Sequence, residues 1–210
     1  MAVQQPDTEE LVRRAGAGDR SAVERLLASH RTRLKKMIAV RMDPRLIRRL
    51  DASDVVQDAL AEAALKLPDY FRRQPLPFYP WLRQFAWNRL VDLHRRHVLA
   101  QKRRVSAERL PEPALPDQSA VELAGRLLAS GTSPSGQAIR QETRDRVRRA
   151  LTELLARDRE VLVLRYLEQL SIAEIAAVLD VSEGTVTMRQ VRALERLRDL
   201  LDDAYGEKQR

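Results

Sequence analysis

The stretch from Ser171 to Arg198 constrains the fold more than any other part of the chain. Apolar residues recur at i, i+3, i+4 and i+7 between Ile172 and Leu179, which is the period of an amphipathic helix. Ser171 precedes this helix and Ser182 precedes a second one, and a serine hydroxyl at an N-cap accepts a hydrogen bond from an orphan backbone N–H. Two short helices joined by a tight turn, with arginines on the second, are the layout of a helix-turn-helix. The stretch therefore predicts a DNA-binding helix-turn-helix, and an ordinary pair of packed helices is the alternative.

The second helix of this stretch is predicted to turn an apolar face inward and a basic face outward. The inward residues are Val186, Val191, Leu194 and Leu197. The outward arginines are Arg189, Arg192 and Arg196. Small residues at the start of the helix would let it approach a DNA groove end-on.

Composition excludes several classes of protein. The chain has no cysteine, which excludes disulfide frameworks and cysteine-ligated zinc sites and fits a reducing, cytoplasmic setting. No apolar run approaches the roughly 20 residues of a membrane-spanning helix, so we expect no membrane span. The net charge of +8 is uneven, since residues 1–97 hold 19 Lys and Arg against 12 Asp and Glu, whereas residues 139–210 hold 14 of each. Because phosphate neutralisation supplies most non-specific affinity for nucleic acid, we expect the N-terminal half to contact a polyanion too.

An acidic stripe lies on a predicted amphipathic helix from Asp51 to Leu67. Its polar residues recur at helical spacing on the side opposite the apolar ones. Acids in a first turn also favour the helix dipole, so the stripe has a second explanation as a helix start. Carboxylates repel phosphates, and the stripe therefore predicts a protein partner. Its residues are Asp51, Asp54, Gln57, Asp58 and Glu62.

Seven of the nine aromatic residues lie between Tyr70 and Trp87. Four prolines predict that this stretch is broken into a loop, after which a helix runs from Trp81 to His97. Arginines follow along that helix, and aromatics interleaved with arginines suit single-stranded nucleic acid, because bases stack on rings while cations follow the phosphates. We expect Trp81 and Phe85 to belong to the core, and Trp87 and the loop aromatics to be functional. The prolines are Pro68, Pro75, Pro77 and Pro80.

Residues 98–138 are predicted to be a flexible linker, because prolines and a run of Ser, Gly and Thr interrupt them. A short helix from Ser119 to Ala129 is an option inside this linker. Apolar residues at helical spacing return after it, and two helices there would pack on the helix-turn-helix. The chain is thus predicted to be all-α, with one small helical domain at 8–97 and a four-helix domain containing the helix-turn-helix at 139–205.

The sequence offers no catalytic, cofactor or metal site. His94 and His97 have the i, i+3 spacing of helix-borne metal ligands, but arginines surround both rings, and phosphate contact or simple exposure explains them better. The seven glycines include no P-loop, dinucleotide-binding turn or nucleophile elbow. The acidic stripe has no histidine or other base beside it. We therefore predict neither an enzyme nor a cofactor.

Three blocks of the sequence resemble a known family. They are DASDVVQDALAEAALKL, PFYPWLRQFAWNRLVDLHRRH and REVLVLRYLEQLSIAEIAAVLDVSEGTVTMRQVRALERLR. In this order they are similar to the successive blocks of sigma-70 family RNA polymerase sigma factors, and the two-domain form is similar to the extracytoplasmic-function (ECF) subgroup. The resemblance covers roughly residues 8–97 and 139–203. The SGTSPS segment and the stretch LPFYPWLRQFAWNRLV look most like versions from planctomycete-type bacteria.

The resemblance implies a transcription initiation factor that binds core RNA polymerase and directs it to promoter DNA. The first block would dock on the clamp helices of the largest polymerase subunit through the acidic stripe, and the polymerase flap is a second implied contact. The second block would read and melt the −10 element and capture an unpaired base in a loop from Tyr70 to Tyr79. The residues implied for the −10 element are Tyr70, Phe71, Phe78, Tyr79, Trp81, Arg83, Trp87, Asn88, Arg89, Asp92, Arg95 and Arg96.

The third block would bind the −35 element as duplex, where arginine can pair with guanine N7 and O6. The sequence departs from the family here, since Asp180 stands where glycine is frequent in the turn and Gln190 where an apolar residue is common. The departure at Asp180 predicts a strained or reshaped turn, and the departure at Gln190 predicts a slightly rotated helix. An anti-sigma protein is a common further partner in the family. The residues implied for the −35 element are Ser182, Gly184, Thr185, Thr187, Met188, Arg189 and Arg192.

Two other classes of protein are alternatives. A stand-alone helix-turn-helix regulator would bind duplex operator DNA tightly without polymerase, but the neutral C-terminal domain and the aromatic, basic stretch count against it. A recombinase with a C-terminal helix-turn-helix would need a nucleophilic serine among converging arginines. The serines of this chain lie in predicted caps and in the linker, which counts against an enzyme.

Overall fold

The computed structural model describes residues 5–47, 50–98, 115–129 and 137–206, and every regular element within them is helical. The chain divides into two compact units, Met1–Ala114 and Leu115–Arg210, called here the N-terminal and C-terminal units. The predicted all-α fold with two helical domains is confirmed. The N-terminal unit contains α1 (Gln5–Gly16), α2 (Arg20–Arg41), α3 (Pro44–Ile47), α4 (Ala52–Arg73) and α5 (Phe78–Val98). The C-terminal unit contains α6 (Asp117–Ala129), α7 (Gln137–Glu153), α8 (Ala156–Leu162), a π-helical segment (Val163–Leu167), α9 (Ile172–Leu179) and α10 (Glu183–Gly206).

The core of the N-terminal unit lies between α2, α4 and α5. Leu34 and Met37 from α2, Val55 from α4 and Leu82 from α5 are buried there. Burial of each such side chain stabilises the folded state by about 1.5–3 kcal/mol and holds the three helices together. The polar faces of α4 and α5 are consequently fixed relative to each other.

A capped turn separates α1 from α2. Gly18 has a φ of 94°, a left-handed conformation that glycine adopts without steric cost. Asp19 is the N-cap of α2: its carboxylate accepts from the Ala22 N–H at 3.1 Å and from Arg14 Nη2 at 2.6 Å. The bond from Arg14 and the backbone bond hold the pKa of Asp19 below its usual value.

Helix α4 continues through Pro68 to Arg73, and the prediction of a loop across this proline is wrong. A proline inside a helix removes one hydrogen bond and costs about 3 kcal/mol. Pro68 is exposed, so water can satisfy the carbonyl that it leaves unpaired, while Leu67 and Tyr70 beside it are buried. Packing of these two side chains offsets the cost of the proline. The connection between α4 and α5 is correspondingly short, at residues 74–77.

The C-terminal unit has one helix more than predicted. Helix α6 lies inside the predicted linker 98–138, at the place of the optional short helix, and packs against α7 and the π-helical segment. Leu123 and Ala124 of α6 are completely buried. Residues 99–114 and 130–136 of that linker lie outside the described residues. No helix in the described ranges is both long and apolar enough to cross a membrane.

Candidate nucleic-acid and protein interfaces

The helix-turn-helix begins at a complete capping box. Ser171 Oγ accepts from the Glu174 N–H at 3.2 Å, and the Ser171 N–H donates to Glu174 Oε2 at 2.9 Å. This reciprocal pair satisfies two orphan donors at the start of α9. Ser182 caps α10 in a similar way, because its Oγ accepts from the Thr185 N–H at 3.2 Å. Both serines act as the N-caps that the sequence predicts.

The turn between α9 and α10 passes through Asp180 in a left-handed conformation, with φ 51° and ψ 52°. The N–H groups of Asp180 and Val181 both point back to the Ala176 carbonyl, which closes the C-terminus of α9. Left-handed backbone is unfavourable for residues with a Cβ, although aspartate tolerates it better than most. The predicted strained turn is therefore present at this position.

The predicted inward face of helix α10 is correct at Val186 and Leu197 and wrong at two positions between them. Val191 and Leu194, which were predicted to face inward, are 43% and 37% exposed. Ala193 joins Val186 and Leu197 on the buried face instead. The residues predicted for duplex contact comprise exposed Ser182, Gly184, Thr187, Met188 and Arg192 and half-buried Thr185 and Arg189.

Gln190 lies on the inward face of α10 and explains why this face differs from the predicted one. Its Nε2 donates to the Tyr166 hydroxyl at 3.3 Å, so the polar side chain is accommodated by a partner from the π-helical segment. The positions 186, 190, 193 and 197 have the spacing of one helical face. Because one of these positions is polar, the apolar residues alone do not identify that face.

The acidic stripe is exposed along α4, and one of its residues, Asp51, has a structural role. Asp51 is the N-cap of α4: its Oδ1 accepts from the Ser53 N–H at 2.7 Å, and this bond is the main cause of a lowered pKa. The helix-start explanation therefore applies to Asp51. Asp54, Gln57, Asp58 and Glu62 are exposed further along the helix.

Leu65 extends this acidic face and was missed from the sequence. It lies on α4 one turn beyond Ala61, and its side chain is 82% exposed. A large apolar side chain left in water next to polar groups is typical of a protein–protein contact. The spacing 54, 58, 61 and 65 is the signal that could have identified it. Asp54, Gln57, Glu62 and Leu65 are called here the α4 face.

An ion pair between Asp58 and Arg89 connects α4 with α5. Arg89 donates to Asp58 Oδ2 from Nη2 at 2.6 Å and from Nε at 3.1 Å. The resemblance implied polymerase contact for Asp58 and DNA contact for Arg89, so the structure brings together residues predicted for different partners. Both side chains are partly exposed, and such pairs contribute only about 0–1 kcal/mol. An external partner can therefore break the pair at little cost.

Most of the aromatic residues predicted for the −10 element are buried. Tyr70, Phe78, Tyr79 and Trp81 are 5%, 4%, 3% and 8% exposed. Tyr70 lies against Phe78 and Trp81, with ring centroids 5.3 Å and 4.6 Å apart, and its hydroxyl donates to the Leu76 carbonyl. Burial raises the pKa of the Tyr70 hydroxyl. The predicted loop from Tyr70 to Tyr79 is limited to residues 74–77. The rings of Tyr70, Phe78 and Tyr79 lie in the core, where only Trp81 was expected.

Trp87 combines partial exposure with two neighbouring cations. The guanidinium carbons of Arg41 and Arg83 lie 5.5 Å and 5.7 Å from the centroid of its ring. Both arginines are buried, so Arg83 supports Trp87 and does not form part of the exposed surface. Cations at this distance are attracted to the indole and create positive potential beside it.

The exposed surface of α5 around Trp87 is polar and basic. Asn88, Asp92, Arg95 and Arg96 are exposed on it, and Phe71 at the end of α4 is half-buried. Trp87, Asn88, Asp92, Arg95 and Arg96 are called here the α5 face. His94 is half-buried on the same helix, and the side chain of His97 lies outside the described residues.

Comparison with known proteins agrees with the resemblance. The families described as Sigma-70 region 2 and Sigma-70, region 4 match residues 26–99 and 150–199. The ECF RNA polymerase sigma factor SigD of Mycobacterium tuberculosis (strain ATCC 25618 / H37Rv) is 31% identical over 199 residues, covering 95% of this chain and 86% of that protein. The ECF RNA polymerase sigma-E factor of Escherichia coli (strain K12) is 30% identical over 191 residues, covering 89% of this chain and 90% of that protein.

A solved structure supports the same assignment. It is described as CnrH in complex with the cytosolic domain of CnrY, and it matches with 26% identity and a TM-score of 0.52, covering 94% of this chain and 99% of that chain. The planctomycete-type resemblance is not tested by these relatives and stays a prediction. Similarity along nearly the whole chain, together with the two matched regions, confirms the predicted family. The chain belongs to the ECF subgroup of the sigma-70 family of RNA polymerase sigma factors.

Proposed function

We propose that this sigma factor binds core RNA polymerase through the α4 face, the −10 element through the α5 face and the −35 element through the start of α10. The observation that carries the proposal is that the exposed residues of each surface lie on one rigid helix.

The factor acts in the cytoplasm and has no catalytic activity of its own. CnrH is described in complex with the cytosolic domain of another protein, which supports a protein regulator of the anti-sigma kind for this chain too.

The start of α10 suits contact with duplex DNA. Its first backbone N–H groups and the helix dipole favour a phosphate at the N-terminus. A Cβ added at Gly184 would meet only Ser182 Oγ, at 3.9 Å, so the fold itself does not require glycine there. A close approach to DNA would explain it. Arg189 and Arg192 follow at positions from which a guanidinium can donate to guanine O6 and N7.

The α5 face suits an unpaired strand. Trp87 offers a partly exposed indole on which a base can stack, and Arg95 and Arg96 offer charge for phosphates. Stacking of one base contributes about 1–3 kcal/mol, which is similar to the few kcal/mol that unstacking a base costs. Asp92 can accept a hydrogen bond from a base amino group. The buried aromatics support this face from inside and are not proposed as direct contacts.

The α4 face suits a basic protein surface with an apolar centre. Asp54, Gln57 and Glu62 form its polar part, and Leu65 supplies the apolar side chain. Association through such a surface buries the leucine and pairs the carboxylates with cations. Clamp helices of the polymerase are the partner that the family implies.

The test combines polymerase binding with promoter opening. Permanganate footprinting of promoter DNA selected from the host genome should show reactive thymines near −10 only when core polymerase and this protein are both present. The double variant Asp54→Arg with Glu62→Arg should lose co-purification with core polymerase and leave the Asp58–Arg89 pair in place. The matched control is Glu9→Arg with Glu24→Arg, which makes the same charge change on exposed residues of α1 and α2.

Two results would contradict the proposal. Co-purification of the Asp54 and Glu62 variant at the level of the control would remove the α4 face from the polymerase contact. Tight binding of the protein alone to duplex DNA, without polymerase-dependent reactivity, would instead favour the stand-alone regulator.

A further inference from the structure

The π-helical segment leaves one carbonyl group without its usual helical partner. In a continued α-helix the Leu170 N–H would donate to the Tyr166 carbonyl. It donates instead to the Leu164 carbonyl at 3.0 Å, and the Glu168 N–H donates to the Val163 carbonyl at 3.1 Å, as in a wider turn. Gln169, with a φ of 62°, then ends the segment. The Tyr166 carbonyl is therefore available to a donor from another element.

Helix α6 provides that donor. Arg126 Nη1 donates to the Tyr166 carbonyl at 2.8 Å, and Arg126 Nη2 contacts Glu122 of the same helix at 2.5 Å. A cation that donates to the last carbonyls of a helix also interacts favourably with its dipole. Leu123 and Ala124 are buried and fix α6 against the core. The guanidinium of Arg126 is therefore held between the Tyr166 carbonyl and the Glu122 carboxylate.

Tyr166 also contacts α10. Its hydroxyl accepts from Gln190 Nε2 at 3.3 Å, and Gln190 lies between Arg189 and Arg192 along α10. The backbone of Tyr166 is thus bonded to α6 and its side chain to α10. Helix α6 occupies residues 117–129, which neither sigma-70 region match includes.

We propose that Arg126 and Tyr166 are positioning residues for −35 recognition, through which α6 sets the placement of α10 in the DNA groove. The proposal rests on the proposed contact of α10 with the −35 element. Discrimination between bases depends on the distances and angles of hydrogen bonds to the base edges, whereas attraction to phosphates is independent of sequence. A small shift of α10 therefore changes the preference for a base pair more than it changes the attraction to phosphates. Base preference is therefore the property that these residues control.

The experiment uses the full-length chain with core polymerase and duplexes that carry randomised −35 positions. The sequence selected by the wild-type protein is compared in competition with its single-base-pair variants. The same ratios are measured for Arg126→Met, which removes both bonds of the guanidinium, and for Tyr166→Phe, which removes only the hydroxyl. Arg149→Met is the matched control, because Arg149 is an exposed arginine of α7 in the same unit.

Arg126→Met and Tyr166→Phe should each lower the preference for the selected base pairs by about three- to tenfold, as expected for coupled neighbours. Arg149→Met should weaken all duplexes equally and keep the wild-type ratios. Partial unfolding of the Arg126→Met protein would lower the bound fraction for every duplex and leave the ratios between duplexes unchanged. Tyr166→Phe keeps the aromatic ring and therefore its packing. Wild-type ratios in both variants would overturn the positioning role and leave the proposed contact of α10 with the −35 element standing. A wild-type protein that selects no −35 sequence would overturn the proposed contact of α10.

Discussion

Asp180 is the position where a single substitution should stabilise this protein. Its left-handed backbone, with φ 51° and ψ 52°, closes α9 and directs the chain into α10. Glycine adopts this conformation without a steric penalty, so Asp180→Gly removes strain from the folded state. The turn keeps its geometry, because the bonds from residues 180 and 181 to the Ala176 carbonyl involve only backbone atoms.

The size of the effect follows from two opposing terms. Left-handed backbone costs an L-residue about 1–2 kcal/mol, and aspartate lies at the lower end because its short side chain tolerates the region. Glycine loses about 0.4–1 kcal/mol more than other residues through the entropy of the unfolded chain. The net expectation is a stabilisation of about 0.5 kcal/mol, or about 2–4 °C in the melting temperature of a domain of 60–100 residues.

Thermal unfolding followed by circular dichroism measures this shift. Asp180→Ala is the matched control, because alanine relieves no steric strain and lacks the local hydrogen bonding of aspartate, so it should lower the melting temperature. An unchanged or lowered melting temperature of Asp180→Gly, or equal values for the glycine and alanine variants, would refute the assignment of strain to this turn.

Three further predictions concern caps and contacts. Asp51 has a lowered pKa in the folded state, so its contribution to stability is present above its unfolded pKa of about 3.9 and is lost as the pH falls through the folded value. Asp51→Asn keeps a capping acceptor that does not titrate and should flatten the acid side of the stability profile; a profile identical to wild type would contradict this. Trp87→Ala should impair promoter opening, measured by permanganate reactivity, more than closed-complex binding, because it removes about 1–3 kcal/mol of stacking; equal losses would count against it. Arg192→Ala should weaken binding to −35 duplex in an anisotropy titration by about 1–3 kcal/mol if it reads a base, and unchanged affinity would remove it from the contact surface.

Local signals in the sequence predicted the helix-turn-helix well. Ser171 and Ser182 are caps because the chemistry of an N-cap depends on a single side chain and its nearest neighbours. The unusual turn at Asp180 is expected from the resemblance, because glycine is frequent at this position in the family. Such features need no knowledge of distant parts of the chain.

Features that depend on packing were not accessible in the same way. The aromatic content between Tyr70 and Trp87 gives no information on which rings meet each other, so buried Tyr79 and half-exposed Trp87 are indistinguishable by composition. Pro68 reads as a helix breaker, and only the burial of its neighbours on α4 shows why the helix continues. Gln190 departs from the apolar pattern of α10, and its partner Tyr166 cannot be identified from the sequence because it lies 24 residues away.

The docking of α6 has a consequence for building hybrid sigma factors. Exchange of promoter preferences between relatives requires a junction between the two units, and the matched regions suggest a cut just before residue 150. Such a hybrid would lack α6, leaving an empty space where Leu123 packs and an uncapped carbonyl at Tyr166. A junction before Leu115 transfers the C-terminal unit with its own α6. The transferable module of this sigma factor is therefore longer than the family region that names it.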